Sequence, residues 1–219
     1  MTGWDDIVSD LKSHAQKMHE GREAGLVKCR LLIQTSAKCI RHVHRHQFAE
    51  AKELLKQAQA IAVEARTALK PFPELYHAGY LGDAEKELVE AAAVLSIVEG
   101  EPYPSPSSLG TGMASYLNGM GEAASEVRRY ALDEMRAGRI EVAEQILRQM
   151  ETIYDDLITF DFADSMTGGL RRTCDALRAV IERTRSDLTA TASQNELVKE
   201  LRAARARFDE QSGGGSLIL

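Results

Sequence analysis

The sequence predicts an all-α protein, and three observations carry this prediction. Apolar residues recur at the i, i+3, i+4, i+7 spacing of a helix face along most of the 219 residues. Aromatic residues make up only 5 % of the chain, whereas strands are enriched in aromatic and β-branched residues. The 5 prolines lie in two short clusters, which leaves long stretches without a helix breaker.

The first predicted helix covers residues 4–46, because this stretch is rich in helix formers and lacks proline. Gly21 and Gly25 are its only weak points. A continuous helix of this length is about 64 Å long at 1.5 Å per residue. A compact domain of this size has a radius of gyration of only about 17 Å. Either the two glycines break the helix, or the protomer is elongated and buries its sides against copies of itself, and we favour the second.

Proline and glycine separate the remaining helices. Pro71 and Pro73 end the second helix, the Pro-, Ser- and Gly-rich loop 100–112 follows the third, and Gly138 ends the fourth. We predict one domain over residues 1–211 and a flexible Gly-rich tail over residues 212–219. The seven predicted helices cover residues 4–46, 48–69, 74–98, 114–137, 140–160, 170–188 and 194–208.

The cysteines and the chain start indicate the compartment. The 3 cysteines form no C-x-x-C pair, so neither a disulfide framework nor a zinc site is indicated. The first residues are acidic where a signal peptide is basic, and no apolar run approaches the ~20 residues that span a bilayer. We therefore expect a soluble, cytoplasmic protein without membrane contact.

The net charge of −6 argues against a uniformly basic nucleic-acid binder, but the charge is unevenly distributed. Residues 1–70 carry 12 basic and 8 acidic side chains, and residues 165–219 carry 9 basic and 7 acidic ones. Residues 83–164 carry 6 basic and 17 acidic side chains. The acidity is therefore concentrated in the middle of the chain, between two mildly basic flanks.

Two pairs of glutamates stand out in this acidic segment. Glu87 and Glu90 are spaced i, i+3, and Glu122 and Glu126 are spaced i, i+4, so each pair lies on one helix face. If the two helices are neighbours, four carboxylates converge, and such oxygen ligands suit Mg²⁺ or Mn²⁺ better than Zn²⁺. An ion held there polarises a phosphodiester and activates water. Spacing alone is a weak signal, because a solvated acidic face has the same pattern.

Several strings resemble the translin superfamily, and specifically its translin-associated factor X (TRAX) branch. They are Phe72-Pro73, ELVEA at 87–91, YLNGMGE and a following Glu at 116–126, and IYDDLITFDFADSMTGGLRR with a following Asp at 153–175. The resemblance covers nearly the whole chain. It implies a seven-helix protomer that assembles into an octameric shell and binds single-stranded RNA or DNA.

The TRAX resemblance also implies an enzyme, because TRAX subunits supply a metal-dependent endoribonuclease centre. The TRAX acidic motifs fall on Glu87, Glu90, Glu122 and Glu126, although Glu122 stands where the TRAX pattern has Asp. The segment after Phe-Pro, rich in Arg and His in translin, has one His and no Arg here, which speaks against translin-like DNA binding through it. We predict a homo-octameric endoribonuclease in which these four glutamates are catalytic and bind Mg²⁺ or Mn²⁺. The alternative is a non-catalytic, translin-like binding scaffold.

Two arginine pairs are predicted to contact RNA phosphates. Arg41 and Arg45 lie one turn apart, as do His42 and His46, which could instead form half of a transition-metal site. Such a site lacks a second ligand pair in the sequence.

The second pair, Arg171 and Arg172, lies at a predicted helix start whose backbone donors can receive a phosphate. The alternative for this pair is ionic pairing with Asp161 or Asp164.

Overall fold

The computed structural model describes residues 3–213, and within this range the chain is helical and contains no strand. The all-α prediction is therefore confirmed. Six helices are long, and three consist of a single turn. In chain order the helices are α1 Trp4–Val43, α2 Phe48–Leu69, α3 Pro73–Tyr76, α4 Tyr80–Glu99, α5 Pro106–Leu109, α6 Met113–Arg136, α7 Ile140–Leu157, α8 Asp164–Thr167 and α9 Leu170–Gly213.

Helix α1 is continuous over 40 residues, about 60 Å, so its two glycines do not break it. Instead, a side chain from another part of the chain packs directly against the helix backbone at each glycine. A Cβ atom at Gly21 would overlap the ring of Phe72, and one at Gly25 would overlap the side chain of Leu69. Most residues from 3 to 24 are exposed, so the first half of α1 extends beyond the helices that cover its second half.

Several predicted boundaries were wrong, each for a local reason. The predicted third helix is divided into α3 and α4, because Gly79 adopts φ +96° between them. The predicted sixth and seventh helices are one helix, α9, because residues 189–193 contain neither Gly nor Pro to stop it. The loop 100–112 contains the one-turn helix α5, which Ser105 caps by accepting the N–H of Ser108. Most of the predicted tail, residues 214–219, lies outside the described residues.

Helices α4 and α6 form the centre of the molecule. Helix α4 packs against α1, α2 and α6, while α6 also packs against α7 and α9. Residues 91–95 of α4 are all buried, as expected for a helix that is covered on more than one side. At Gly119 a Cβ atom would lie 2.7 Å from the carbonyl oxygen of Lys86 and 2.6 Å from Cβ of Val89. The missing side chain at Gly119 therefore allows the two helices to approach closely.

Within residues 3–213, no helix combines the length and the apolar character that a membrane crossing requires.

Candidate metal centre

Helices α4 and α6 bring three carboxylates together. Each of Glu87, Glu90 and Glu122 offers one oxygen, and these oxygens all lie within 4.8 Å of one another. The two α4 residues share a face because of their i, i+3 spacing. Glu122 follows Gly119 by one turn, so the close helix contact places it opposite them. We call these three residues the carboxylate trio.

The carboxylate trio is electrostatically strained without a cation. The pKa of Glu90 is raised to about 8, mainly by burial and also by the charges of Glu87, Glu122 and Glu126, against the opposing effect of Lys86. Burial also raises the pKa of Glu87; it outweighs the charge of Lys86, which lowers this pKa, and the charge of Glu122 makes a smaller raising contribution. A divalent cation would relieve this repulsion. The all-oxygen donor set fits Mg²⁺ or Mn²⁺.

Glu126, predicted as a fourth ligand, lies beside the trio and not within it. It is one turn beyond Glu122 on α6, and its side chain is 37 % exposed. Its Oε1 lies 2.7 Å from Nε2 of His44, a buried residue at the end of α1. Sequence reasoning missed His44, because 82 positions separate it from Glu126 and no spacing rule connects them.

Lys86 is the second residue of the site that sequence reasoning missed. Helical spacing relates only residues on the same helix, so it does not reveal a cation that a neighbouring helix supplies. In the folded chain Nζ of Lys86 on α4 donates to Oε1 of Glu122 on α6 at 2.7 Å. Burial lowers the pKa of Lys86, but the hydrogen bond with Glu122 and the nearby acidic charges outweigh it and raise that pKa. The trio therefore has one internal counter-ion.

Solved structures resemble this chain in both sequence and fold. The chain matches no protein-family model. The crystal structure of AfC3PO, a translin-family C3PO component, is 34 % identical, with a TM-score of 0.80 and coverage of 86 % of this chain and 98 % of that chain. The chain belongs to the translin superfamily.

Other known proteins also resemble this translin-superfamily chain in sequence or in fold. A structure of AfC3PO in complex with duplex RNA gives the same identity and TM-score and covers 97 % of that chain. The crystal structure of apo-NeC3PO has a TM-score of 0.76 at 24 % identity, which is a likeness of fold. The protein MJ0175 of Methanocaldococcus jannaschii is 26 % identical over 208 residues, which is 94 % of this chain and 92 % of its own length.

The two neighbouring arginines of this translin-superfamily chain line different cavities. Arg172 lines a cavity of about 360 Å³ together with Lys86 and Glu122. Arg171 lines a separate cavity of about 350 Å³ in which Asp161 and Asp164 take part. The structure therefore brings Arg172, but not Arg171, next to the carboxylate trio.

Arg41 and Arg45 are exposed on either side of His44 in sequence. Within the described residues, neither guanidinium group forms a hydrogen bond or an ion pair, although the backbone N–H of Arg45 donates to the carbonyl of His42 at 3.1 Å. His42 and His46 are not one turn apart on a helix, as a metal pair would require, because α1 ends at Val43 and His46 adopts φ +57° outside the helix. His46 instead contacts the hydroxyl of Tyr130 through Nδ1 at 3.2 Å.

Proposed function

We propose that this protein is a divalent-metal-dependent endoribonuclease that cleaves single-stranded RNA. The observation that carries the proposal is the convergence of three carboxylates from two helices within 4.8 Å. RNA as the substrate class is supported by the AfC3PO relative, whose structure in complex with duplex RNA shares the fold and 34 % of the sequence.

In this proposal the carboxylate trio holds Mg²⁺ or Mn²⁺. The raised pKa values of Glu87 and Glu90 support this role, because a divalent cation would offset the burial and mutual repulsion that the single charge of Lys86 leaves uncompensated. When bound, the ion supplies charge neutralisation at the scissile phosphate and makes a water molecule more acidic. Glu122 supplies the third ligand oxygen, although its carboxylate also accepts a hydrogen bond from Lys86.

Glu126 is assigned as the proton acceptor. It lies next to the trio, it is partly exposed, and only one of its oxygens is bonded to His44. In the hydrolysis step a water oxygen bonds to phosphorus and one proton of that water goes to Glu126. The bond between phosphorus and a ribose oxygen breaks, and this oxygen leaves as a hydroxyl after taking a proton from the solvent. The role of Glu126 as a fourth metal ligand, which the sequence also predicts, is the competing assignment.

The arginines are assigned to the RNA backbone. Arg172 lines the cavity beside Glu122, and Arg41 and Arg45 flank the residue that contacts Glu126. Arg171 is retained as a more distant phosphate contact. Because contacts to phosphates do not read bases, we expect little sequence preference in cleavage.

Self-association into a homo-octamer is part of the same proposal. The first turns of α1 expose an apolar stripe, Trp4, Ile7 and Leu11, and the end of α9 exposes Leu201 and Phe208. Large apolar side chains on protruding helices favour contact with another subunit. Mass measurement by light scattering tests the subunit number.

A non-catalytic scaffold that binds single-stranded nucleic acid is the second candidate function. The hydrogen bond between Lys86 and Glu122 favours it, because an ammonium group already neutralises part of the acidic cluster. In this function the trio binds no ion, and RNA is bound but not cut.

The deciding experiment incubates labelled single-stranded RNA, and a duplex of the same sequence, with the purified protein in Mn²⁺, Mg²⁺ or EDTA. Glu90→Gln and Glu122→Gln are compared with Glu101→Gln, which changes an exposed glutamate outside the cluster. We expect metal-dependent cleavage of the single strand by the wild type and Glu101→Gln, and at least about a 100-fold loss in the trio variants. Cleavage that persists in EDTA and in both trio variants contradicts the proposed site. Binding without cleavage favours the scaffold.

A further inference from the structure

The residue His44 connects two distant parts of the chain. It is the first residue after α1, and its backbone N–H bonds to the carbonyl of Ile40 at 3.0 Å. Its side chain is only 2 % exposed, and its Nε2 lies 2.7 Å from Oε1 of Glu126 on α6. A buried imidazole therefore contacts the carboxylate that stands beside the trio.

The position of the imidazole proton follows from the contacts of the two ring nitrogens. An ionised carboxylate can only accept, so Nε2 of His44 carries the proton and donates it to Glu126. Nδ1 is buried and finds no hydrogen-bond partner within the described residues. His44 therefore donates to Glu126 through Nε2.

The turn that carries His44 is fixed on α6 at further points. His46 contacts the hydroxyl of Tyr130 at 3.2 Å, and its Nε2 lies 4.0 Å from Oε1 of Glu134. Glu126, Tyr130 and Glu134 follow one another at i, i+4 and i+8, so they lie on one face of α6. The turn between α1 and α2 thus contacts three successive turns of α6, which restricts the movement of the His44 ring.

We propose that His44 is the positioning residue of Glu126: it binds one carboxylate oxygen and leaves the other available as a proton acceptor beside the trio. The catalytic part of this inference rests on the proposed endoribonuclease function. Without His44, the partly exposed Glu126 side chain is free to rotate toward solvent or toward the trio. A carboxylate that is held by a buried donor keeps one orientation at smaller entropic cost.

The kinetic test compares His44→Ala and His44→Gln with His42→Ala, a change two positions earlier at a half-buried histidine. We expect His44→Ala to lower kcat by about 10- to 100-fold, as for other residues that orient a reacting group. The KM for RNA and the dissociation constant for Mn²⁺ change by less than about twofold, because the trio is intact. His44→Gln, whose amide can donate to Glu126, retains more of the rate, and added imidazole partly restores His44→Ala.

A double-mutant comparison separates positioning from a general structural role. In a Glu126→Gln background, His44→Ala should lower the residual rate by less than about twofold, because the residue that it positions no longer accepts protons. An equal loss in both backgrounds overturns the inference. A wild-type rate in His44→Ala, or a loss of Mn²⁺ binding as large as that of Glu90→Gln, overturns it as well.

A readout without catalysis tests the contact itself. Solid-state nitrogen-15 spectra of histidine-labelled full-length protein should show a hydrogen on Nε2 of His44, and this resonance should shift in Glu126→Ala. An Nε2 that carries no hydrogen, or a spectrum that Glu126→Ala leaves unchanged, overturns the positioning role. If the wild type binds RNA without cutting it, the endoribonuclease proposal and the catalytic use of His44 fail together, and the spectra alone decide whether His44 holds Glu126.

Discussion

Replacing Glu90 with Gln should stabilise the metal-free protein at alkaline pH while abolishing metal binding. Glu90 has the most strongly shifted carboxyl group of the trio, with a pKa of about 8 instead of 4.5. Glutamine keeps the shape of the side chain but never acquires the negative charge that burial and the neighbouring glutamates disfavour. The variant therefore separates the effect of the buried Glu90 charge on stability from the contribution of Glu90 to metal binding.

The magnitude of this effect follows from proton linkage. The folded protein holds the Glu90 proton more tightly than the unfolded chain does, so the stability from this proton is fully present below pH 4.5. It is lost progressively as the pH rises through about 8. Between pH 5 and pH 9, the free energy of unfolding of the wild type should fall by about 3–4 kcal/mol through this group alone. Glu90→Gln lacks this loss.

Urea unfolding followed by circular dichroism at pH 5, 7 and 9, in EDTA, measures the difference. Glu101→Gln, at an exposed position, should follow the wild type. At pH 7, saturating Mn²⁺ should raise the urea midpoint of the wild type and of Glu101→Gln but not that of Glu90→Gln, because only a protein that binds the ion is stabilised by it. Parallel losses of stability in the wild type and Glu90→Gln between pH 5 and pH 9 would refute the reasoning.

Three further predictions follow from the same contacts. Because Glu90 is largely protonated at neutral pH, Mn²⁺ binding at pH 7 should release close to one proton per ion and fewer at pH 9; calorimetry in buffers of different ionisation enthalpy measures this release. Lys86→Met removes the ammonium that competes for Glu122, so Mn²⁺ should bind about tenfold more tightly at pH 8 in a calorimetric titration, and weaker binding would contradict competition. Gly119→Ala places a Cβ atom against the α4 backbone and should lower the free energy of unfolding by about 1–3 kcal/mol in urea melts. Gly112→Ala, with nothing within 4 Å, should lower it less, because only the N-cap preference of α6 is affected.

The fold class was predictable because helical periodicity is a local property. The same holds for the carboxylate pairs, since i, i+3 and i, i+4 spacings define a helix face before any tertiary contact forms. The division at Gly79 was not predictable from periodicity, because the residues on both sides of it have helical patterns. The joining of two predicted helices within α9 was missed because residues 189–193 only lower helix propensity and do not stop a helix.

The residues that complete the site could not be predicted, because their signal is tertiary. Lys86 neutralises Glu122 from another helix, and His44 contacts Glu126 across 82 positions. No spacing rule links either pair. Arg171 and Arg172 likewise line different cavities because of the direction in which α9 begins. Two adjacent positions in a sequence do not reveal this direction.

A single face of α6 determines the whole arrangement. Gly119, Glu122, Glu126, Tyr130 and Glu134 are spaced by three or four residues, so they form one stripe along four turns of the helix. The first part of this stripe contacts α4 and completes the trio, and the later part contacts the turn after α1. A rotation of α6 by one residue, about 100°, would remove the trio contact and the histidine contacts together. The proposed metal ligation and the orientation of Glu126 therefore depend on the same helix register. In this chain the close contact at Gly119 is as much a part of the site as the carboxylates that follow it.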